Sequence, residues 1–175
     1  MASFDEIWAG LKDTGVAPPF LLLDCAGFEG GASALPRDAF SEFECLFSGD
    51  LGEELADVAP YLGRIRGFDE GEASIAKDIL NRQAGMLVLP RVTSDEGPSF
   101  ADLHRHFRKF NVVYGPEGRP LFFRYYDPRV LVSVLSVMDA EQLDAFFRPI
   151  AAFVLAEPSC AVVQCALLDG RLSLS

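Results

Sequence analysis

A chain of 175 residues that is half apolar holds enough material for one ordinary folded domain and too little for two. Its formal charge of −11 excludes the broad cationic surface that nucleic acids and anionic membranes require. No apolar run approaches the roughly 20 residues of a transmembrane helix, and Met1-Ala2-Ser3-Phe4-Asp5-Glu6 has no basic leader region, so a cytoplasmic location is expected.

Ser3-Phe4-Asp5-Glu6 fits a capping box and opens a predicted helix over about 4–13, with Phe4, Ile7, Trp8 and Leu11 on one side. Gly15 and Pro18-Pro19 end it. Phe20-Leu21-Leu22-Leu23-Asp24-Cys25 is a continuous apolar run, which reads as a buried strand. Residues 26–34 are rich in Gly and small side chains and read as a loop. A helix is expected from Pro36 to Phe43, with Pro36 in its first turn. Glu44 to Phe47 reads as a short extended segment, and Asp50 to Asp57 as a brief helical turn.

Ala59 to Ile65 alternates like a strand, Glu72 to Arg82 has helical spacing, and Gly85 to Pro90 is a strand with clear limits. Ser99-Phe100-Ala101-Asp102 is a second capping box, opening a helix over about 100–110. Phe100, Leu103, Phe107 and Phe110 form its apolar stripe; Arg105, Arg108 and Lys109 take the other faces. Asn111 to Tyr114, a turn at Gly115-Pro116-Glu117-Gly118, and a returning strand from Arg119 to Tyr126 have the pattern of a hairpin.

Asp127-Pro128 then switches strand chemistry to helix chemistry. Asp accepts from free N–H groups at a helix start, and Pro needs no N–H at the first helical position. The helix that follows carries Leu131, Val134, Leu135 and Met138 inward. Asp139-Ala140-Glu141-Gln142 repeats the capping pattern and starts a helix over about 140–147, ended by Pro149. Residues 150–156 and 161–168 read as two strands, the first sparse enough in β-branched residues to be helical instead. No internal repeat and no dividing linker interrupts residues 1–175. The order mixes strands and helices without steady alternation, so a single α/β or α+β domain with a mixed sheet is expected.

Charge is unevenly spread. Residues 1–90 hold 6 basic and 16 acidic side chains, residues 91–129 hold 7 and 5, and residues 130–175 hold 2 and 5. The middle segment is the one basic part of an acidic protein. Its charges are either solvated and paired, or a recognition face.

Few residues are spaced as a chemical site would need. Cys25, Cys45, Cys160 and Cys165 lack the close pairing of a zinc site and read as inert, reduced thiols. Cys25, His104 and Asp127 make a nucleophile–base–acid set only on paper, with no nucleophile motif around any of them. His104 and His106, two apart on a predicted helix, face different ways and read as surface or cap residues. Gly30-Gly31 lacks the Lys-Ser/Thr of a phosphate loop. Asp24 at a strand end is as well explained by turn chemistry. No catalytic, metal or cofactor site is expected, and no small-molecule substrate. Weight shifts to a protein that binds other proteins.

Leu121 to Leu131, with Phe123-Arg124-Tyr125-Tyr126-Asp127-Pro128-Arg129 at its centre, resembles the signature of the bacterial type VI secretion effector chaperones, also called Tap or TEC adaptors. Phe20–Asp24, Ala59–Leu62, Leu103–Phe110 and Leu143–Ile150 are similar to further family segments in the same order, so the likeness spans about 20–155. It implies a non-enzymatic cytoplasmic adaptor that binds a cognate secreted effector and helps load it on the VgrG spike protein. Many relatives carry a further C-terminal lobe, whereas this chain ends about 20 residues after the last matched segment.

Two roles stand open for the signature. Arg105, Arg108, Arg124 and Arg129, with Tyr125 or Tyr126 exposed beside them, would grip a partner, Arg and Tyr being the side chains that most often dominate interfaces. In the other role Arg124 and Arg129 pair internally, with Asp24 or Asp127, and fix the strand-to-helix junction. An immunity-type protein that neutralises a basic toxin and a small hydrolase are the alternative functions.

Overall fold

The apolar run at Phe20 forms a strand, β1 (Phe20–Asp24), whose five residues are all buried. The computed structural model that shows this describes residues 3–93, 97–115, 117–157, 159 and 161–175; Met1 and Ala2 of the amino-terminal motif, Pro116 of the hairpin turn, and Cys160 lie outside it. β1 sits inside a seven-stranded sheet. Its companions are β2 (Phe40–Cys45), β3 (Pro60–Ile65), β4 (Gly85–Pro90), β7 (Ile150–Ala156), β8 (Val162–Leu168) and β9 (Arg171–Leu174). They lie in the order β2-β3-β1-β4-β7-β8-β9. A separate two-stranded ribbon pairs β5 (Val112–Tyr114) with β6 (Pro120–Phe122).

Alternation along the strands supplies two cores. Phe20 and Leu22 of β1, Met86 and Val88 of β4, and Phe153 and Leu155 of β7 enter one. Leu21, Leu23, Leu87 and Val154 enter the other. The first core is roofed by α4 (Phe100–Arg108), α5 (Pro128–Leu135) and α6 (Ala140–Phe147). The second is covered by α1 (Phe4–Asp13) and α3 (Glu70–Asn81). A short helix, α2 (Asp50–Glu54), precedes β3. A strand apolar on both faces therefore marks the middle layer of three.

The helices start where their caps say. Ser3 with Glu6, Ser99 with Asp102, and Asp139 with Gln142 each form the reciprocal capping box. α2 and α3 depart from this rule: no side chain caps α2, whose N-cap Gly49 has a positive φ of 61°, and the Asp69 side chain makes no capping bond to α3.

The α+β class stands, but every strand pairing is antiparallel, so the sheet is not mixed in direction. β3 and β4, joined through α3, do run the same way. They are not neighbours because β1 lies between them and pairs with both.

Three local expectations change. The helix expected over 36–43 is a single 3-10 turn, Arg37–Ala39, followed by β2. Phe43 lies opposite Gly63 in β3, and a Cβ on Gly63 would come within 2.6 Å of the Phe40 ring. The glycine makes room for two phenyl rings on a strand, and ladder pairing overrides local propensity. The strand expected over 119–126 stops at Phe122, because the chain leaves the ribbon to bury Phe123, Tyr125 and Tyr126. Finally, β9 was not expected. Asp169 and Gly170, both at positive φ (49° and 73°), form the two-residue turn that folds it onto β8. Asp-Gly between apolar runs is the sequence signal for such a turn.

Two glycines test the packing. A Cβ on Gly85 would meet the Leu22 carbonyl oxygen at 2.6 Å, and a backbone atom cannot swing aside. Gly85→Ala is expected to destabilise the fold by about 1–3 kcal/mol. Gly10, exposed in α1 with nothing within 4 Å of an added Cβ, gives the opposite sign. Gly10→Ala is expected to stabilise by about 0.5–1 kcal/mol. Urea unfolding of both variants measures the contrast.

Candidate functional site

Parity along β1 decides where its last side chain points. Phe20 and Leu22 face the α4–α6 layer, so Asp24 does too, and it is 2 % exposed. The stretch between β6 and α5 passes over it. Arg124 Nη2 donates to Asp24 Oδ2 at 3.1 Å and lies 3.2 Å from Asp127 Oδ2. Arg129 grips Asp127 with two donors, Nε to Oδ1 at 2.8 Å and Nη2 to Oδ2 at 3.0 Å. The backbone N–H of Arg129 donates to the same Oδ1 at 3.0 Å, which is the N-cap of α5. Pro128 occupies the first helical position and is buried. Two buried carboxylates thus sit under two arginines, and the internal-pairing role of Arg124 and Arg129 is the arrangement observed.

The carboxylates are not equivalent. Burial raises the Asp24 carboxyl above the ordinary range; the Arg124 charge opposes this and the Asp127 charge adds to it. The Ala26 N–H acts weakly downward, but no hydrogen bond of good geometry reaches Asp24 Oδ1, which is buried without a partner. Burial acts upward on Asp127 as well. There the Arg129 hydrogen bonds and the charges of both arginines win, and its carboxyl lies below the ordinary range.

Tyr125 and Tyr126 are placed differently from expectation. Neither stands exposed beside the arginines: Tyr125 is 0 % exposed and Tyr126 9 %. In a strand, consecutive side chains point to opposite faces. Here the backbone turns at Arg124–Asp127, closed by Asp127 N–H to Arg124 C=O at 3.1 Å, and both rings enter the core. Tyr125 stacks on Phe107 at 5.5 Å and donates its hydroxyl to Asn111 Oδ1 at 2.8 Å. Asn111 in turn donates to the Leu46 carbonyl at 2.8 Å. Tyr126 meets the ring of Phe47 edge-on. Nothing in the sequence marked Asn111 as the polar partner of a buried tyrosine.

The four arginines fall into two groups. Arg124 and Arg129 surround the buried carboxylates, with side chains 48 % and 57 % exposed. Arg105 and Arg108 stand on α4 with Lys109, around a separate hollow of about 430 Å³ that Phe122 also lines. Among the described residues no hydrogen bond or ion pair joins the two groups.

His104 and His106 are not surface residues. Both are half-buried, and each Nε2–H donates to a carbonyl at 2.8 Å, His104 to Cys45 and His106 to Phe146. They tie α4 to β2 on one side and to α6 on the other. Burial holds His106 below its ordinary range. Cys25 is buried in the core on the opposite face of the sheet, and burial pushes its thiol up to about 12, the reverse of an activated nucleophile. Cys25, His104 and Asp127 are therefore not brought together. Among the described residues no three His, Cys, Asp or Glu side chains converge as metal ligands would.

A family model described as "Domain of unknown function (DUF4123)" matches residues 19–145. The matched part runs from β1 into α6 and contains Asp24, Arg124, Asp127 and Arg129 together. No significant match is found among curated proteins or solved structures.

The carboxylate pair predicts opposite pH behaviour for two isosteric changes. Asp127 titrates lower in the fold than unfolded, so its stabilisation is present above about pH 4 and lost only as pH falls below that. Asp127→Asn should lower stability by about 1–2 kcal/mol, the half-exposed arginines weakening the pair, with a deficit flat from about pH 4 to 7. Asp24 titrates higher in the fold, so its contribution declines as pH rises from about 4 through its folded value. Asp24→Asn should therefore gain on the wild type over that window. Urea unfolding across the range gives both slopes, and parallel slopes would contradict the assignment.

Proposed function

The chain belongs to the DUF4123 family, and on that premise we propose that it is a non-enzymatic adaptor that binds a cognate type VI secretion effector and helps load it on the VgrG spike. One observation carries the reading. The family match covers 127 residues, 19–145, and includes the whole Leu121–Leu131 stretch that resembles the signature of the effector chaperones.

Physical features support it. The titratable groups under the signature are engaged in ion pairs that fix a helix start, and burial pushes the thiol of Cys25, next to Asp24 in the chain, up to about 12. No helix among the described residues is long and apolar enough to cross a membrane. An adaptor of this kind works in the cytoplasm and stays there while its cargo leaves. Arg124 and Arg129, half exposed over their internal partners, retain N–H donors toward solvent for a partner's carboxylates. The acidic charge of −11 favours one second reading, an immunity-type protein that blocks a basic toxin.

Affinity purification of the tagged chain from its native host tests the choice. The adaptor reading expects a large toxin and the spike protein in the eluate, with loss of secretion when the chain is deleted. Added alone to the purified toxin, the chain should leave toxin activity unchanged; stoichiometric inhibition would establish the immunity reading, and recovery of neither protein would overturn the adaptor. Arg129→Ala and Arg124→Ala separate anchor from interface. Variants that melt like the wild type but lose the cargo place the arginines in contact with it.

A further inference from the structure

The ribbon β5–β6 carries an exposure pattern that folding does not explain. Val112 lies opposite Phe122 and Tyr114 opposite Pro120, so these four share one face. Tyr114 is 74 % exposed and Phe122 68 %, and among the described residues they are the only aromatic side chains that lie exposed. Every other Phe, Tyr and Trp is buried or half-buried. Aromatic groups left on a surface next to a hollow are the usual anchors of a protein contact.

Charge converges on the same place. Val112 and Phe122 line the hollow of about 430 Å³ together with Phe47, Leu51 and the polar Ser48 and Asn111, and its charged side is Arg105 and Arg108 of α4 with Lys109 at the helix C-cap. Arg105 is paired with Asp102 at 3.2 Å, whereas Arg108 and Lys109 make no ion pair among the described residues. Cations near a helix C-terminus are stabilised by its dipole, which accounts for their helix position. It does not account for the exposed ring beside them. In a chain of charge −11, a cationic wall over an apolar floor selects a partner by sign.

We propose that the hollow between α4 and the β5–β6 ribbon docks an acidic peptide segment of a partner protein, its carboxylates on Arg105, Arg108 and Lys109 and a bulky apolar side chain against Phe122 and Phe47. The inference deepens the adaptor reading and rests on it for the partner's being a secreted effector or its spike. A second copy of this chain fits less well. A two-fold contact would set one cationic wall against another, and a head-to-tail contact would leave both faces open to polymerise.

The probe is a fluorescein-labelled peptide of alternating Glu-Glu and Leu-Phe pairs, with a Lys-for-Glu peptide of the same length beside it. Anisotropy should show micromolar binding of the acidic peptide that weakens several-fold between about 50 and 300 mM salt, and none of the basic one. Arg108→Glu with Lys109→Glu, and separately Phe122→Ser, should each weaken binding about tenfold while melting like the wild type. Tyr114→Ser gives a second exposed position should Phe122→Ser unfold. Equal binding by wild type and variants, no binding of the acidic peptide, or a wild-type oligomer that Phe122→Ser converts to monomer would overturn the proposal. Purification from the host separates its failure from that of the adaptor reading. Toxin and spike recovered equally with wild type and charge-reversed chain overturn the docking site alone. Peptide binding that follows the variants, with neither protein recovered from the host, overturns the adaptor alone.

Discussion

The contact on which the rest of the arrangement depends joins residues 100 apart in sequence: the guanidinium of Arg124 on the buried carboxylate of Asp24. β1 ends with an acid facing the interior because alternation along the strand leaves no choice, Phe20 and Leu22 already pointing that way. Unpaired, a buried charge is costly. Arg124 supplies the counter-charge only if the backbone from Phe123 to Asp127 abandons strand geometry and passes over the end of β1. That same departure allows two consecutive tyrosines to enter the core. The ion pair and the aromatic packing of Tyr125 on Phe107 are thus two consequences of one backbone path.

Such a pair is a weak source of net stability and a better source of specificity. Burial, with the neighbouring Asp127 charge added, outweighs what Arg124 returns, and the Asp24 carboxyl lies above its ordinary range. Apolar residues of similar shape would fill the space as well. What they would not do is fix which part of the chain covers β1. The second carboxylate has a different task. Asp127 accepts the first free N–H of α5 and two donors from Arg129, so it sets where the helix begins and in which direction it leaves. One acid fixes the path of the segment and the other its end.

Much of this was legible in the residues. Three capping boxes and the Asp127-Pro128 junction gave helix starts because each is a local bond between near neighbours. β4 and β1 were legible as apolar runs with firm limits. The failures share a cause, which is that distant partners decide them. Phe40–Cys45 is a strand because Gly63 makes space for it. The sheet is antiparallel throughout because β1, first in the chain, inserts between β3 and β4. Phe123–Tyr126 reads as strand in isolation and is bent by Asp24. At the site, the pairing of Arg124 and Arg129 with Asp24 and Asp127 was among the readings the residues allowed. Exposure is not legible there, since Tyr125 and Tyr126 look like interface residues by type and are core by position. β9 differs, since its turn at Asp169-Gly170 is a local signal.

The residues that make the stretch recognisable are largely interior. Tyr125, Tyr126, Asp127 and Pro128 are all buried, so the signature identifies a way of building the junction before it identifies a contact with another protein. A motif of this kind can be shared by proteins with different partners, because it leaves the neighbouring surface free to vary. Arg124 and Arg129 stand at the boundary between the two roles. Each is held in place by an internal carboxylate and about half exposed. Being held would lower the side-chain entropy lost if a carboxylate bound there, while the internal pairing already offsets part of the charge. Arg108 and Lys109 have the opposite character, with charge not paired among the described residues and long side chains to order. A partner that touched both groups would meet fixed geometry at one end and free charge at the other. The fold separates these by placing the first over the end of β1 and the second along α4.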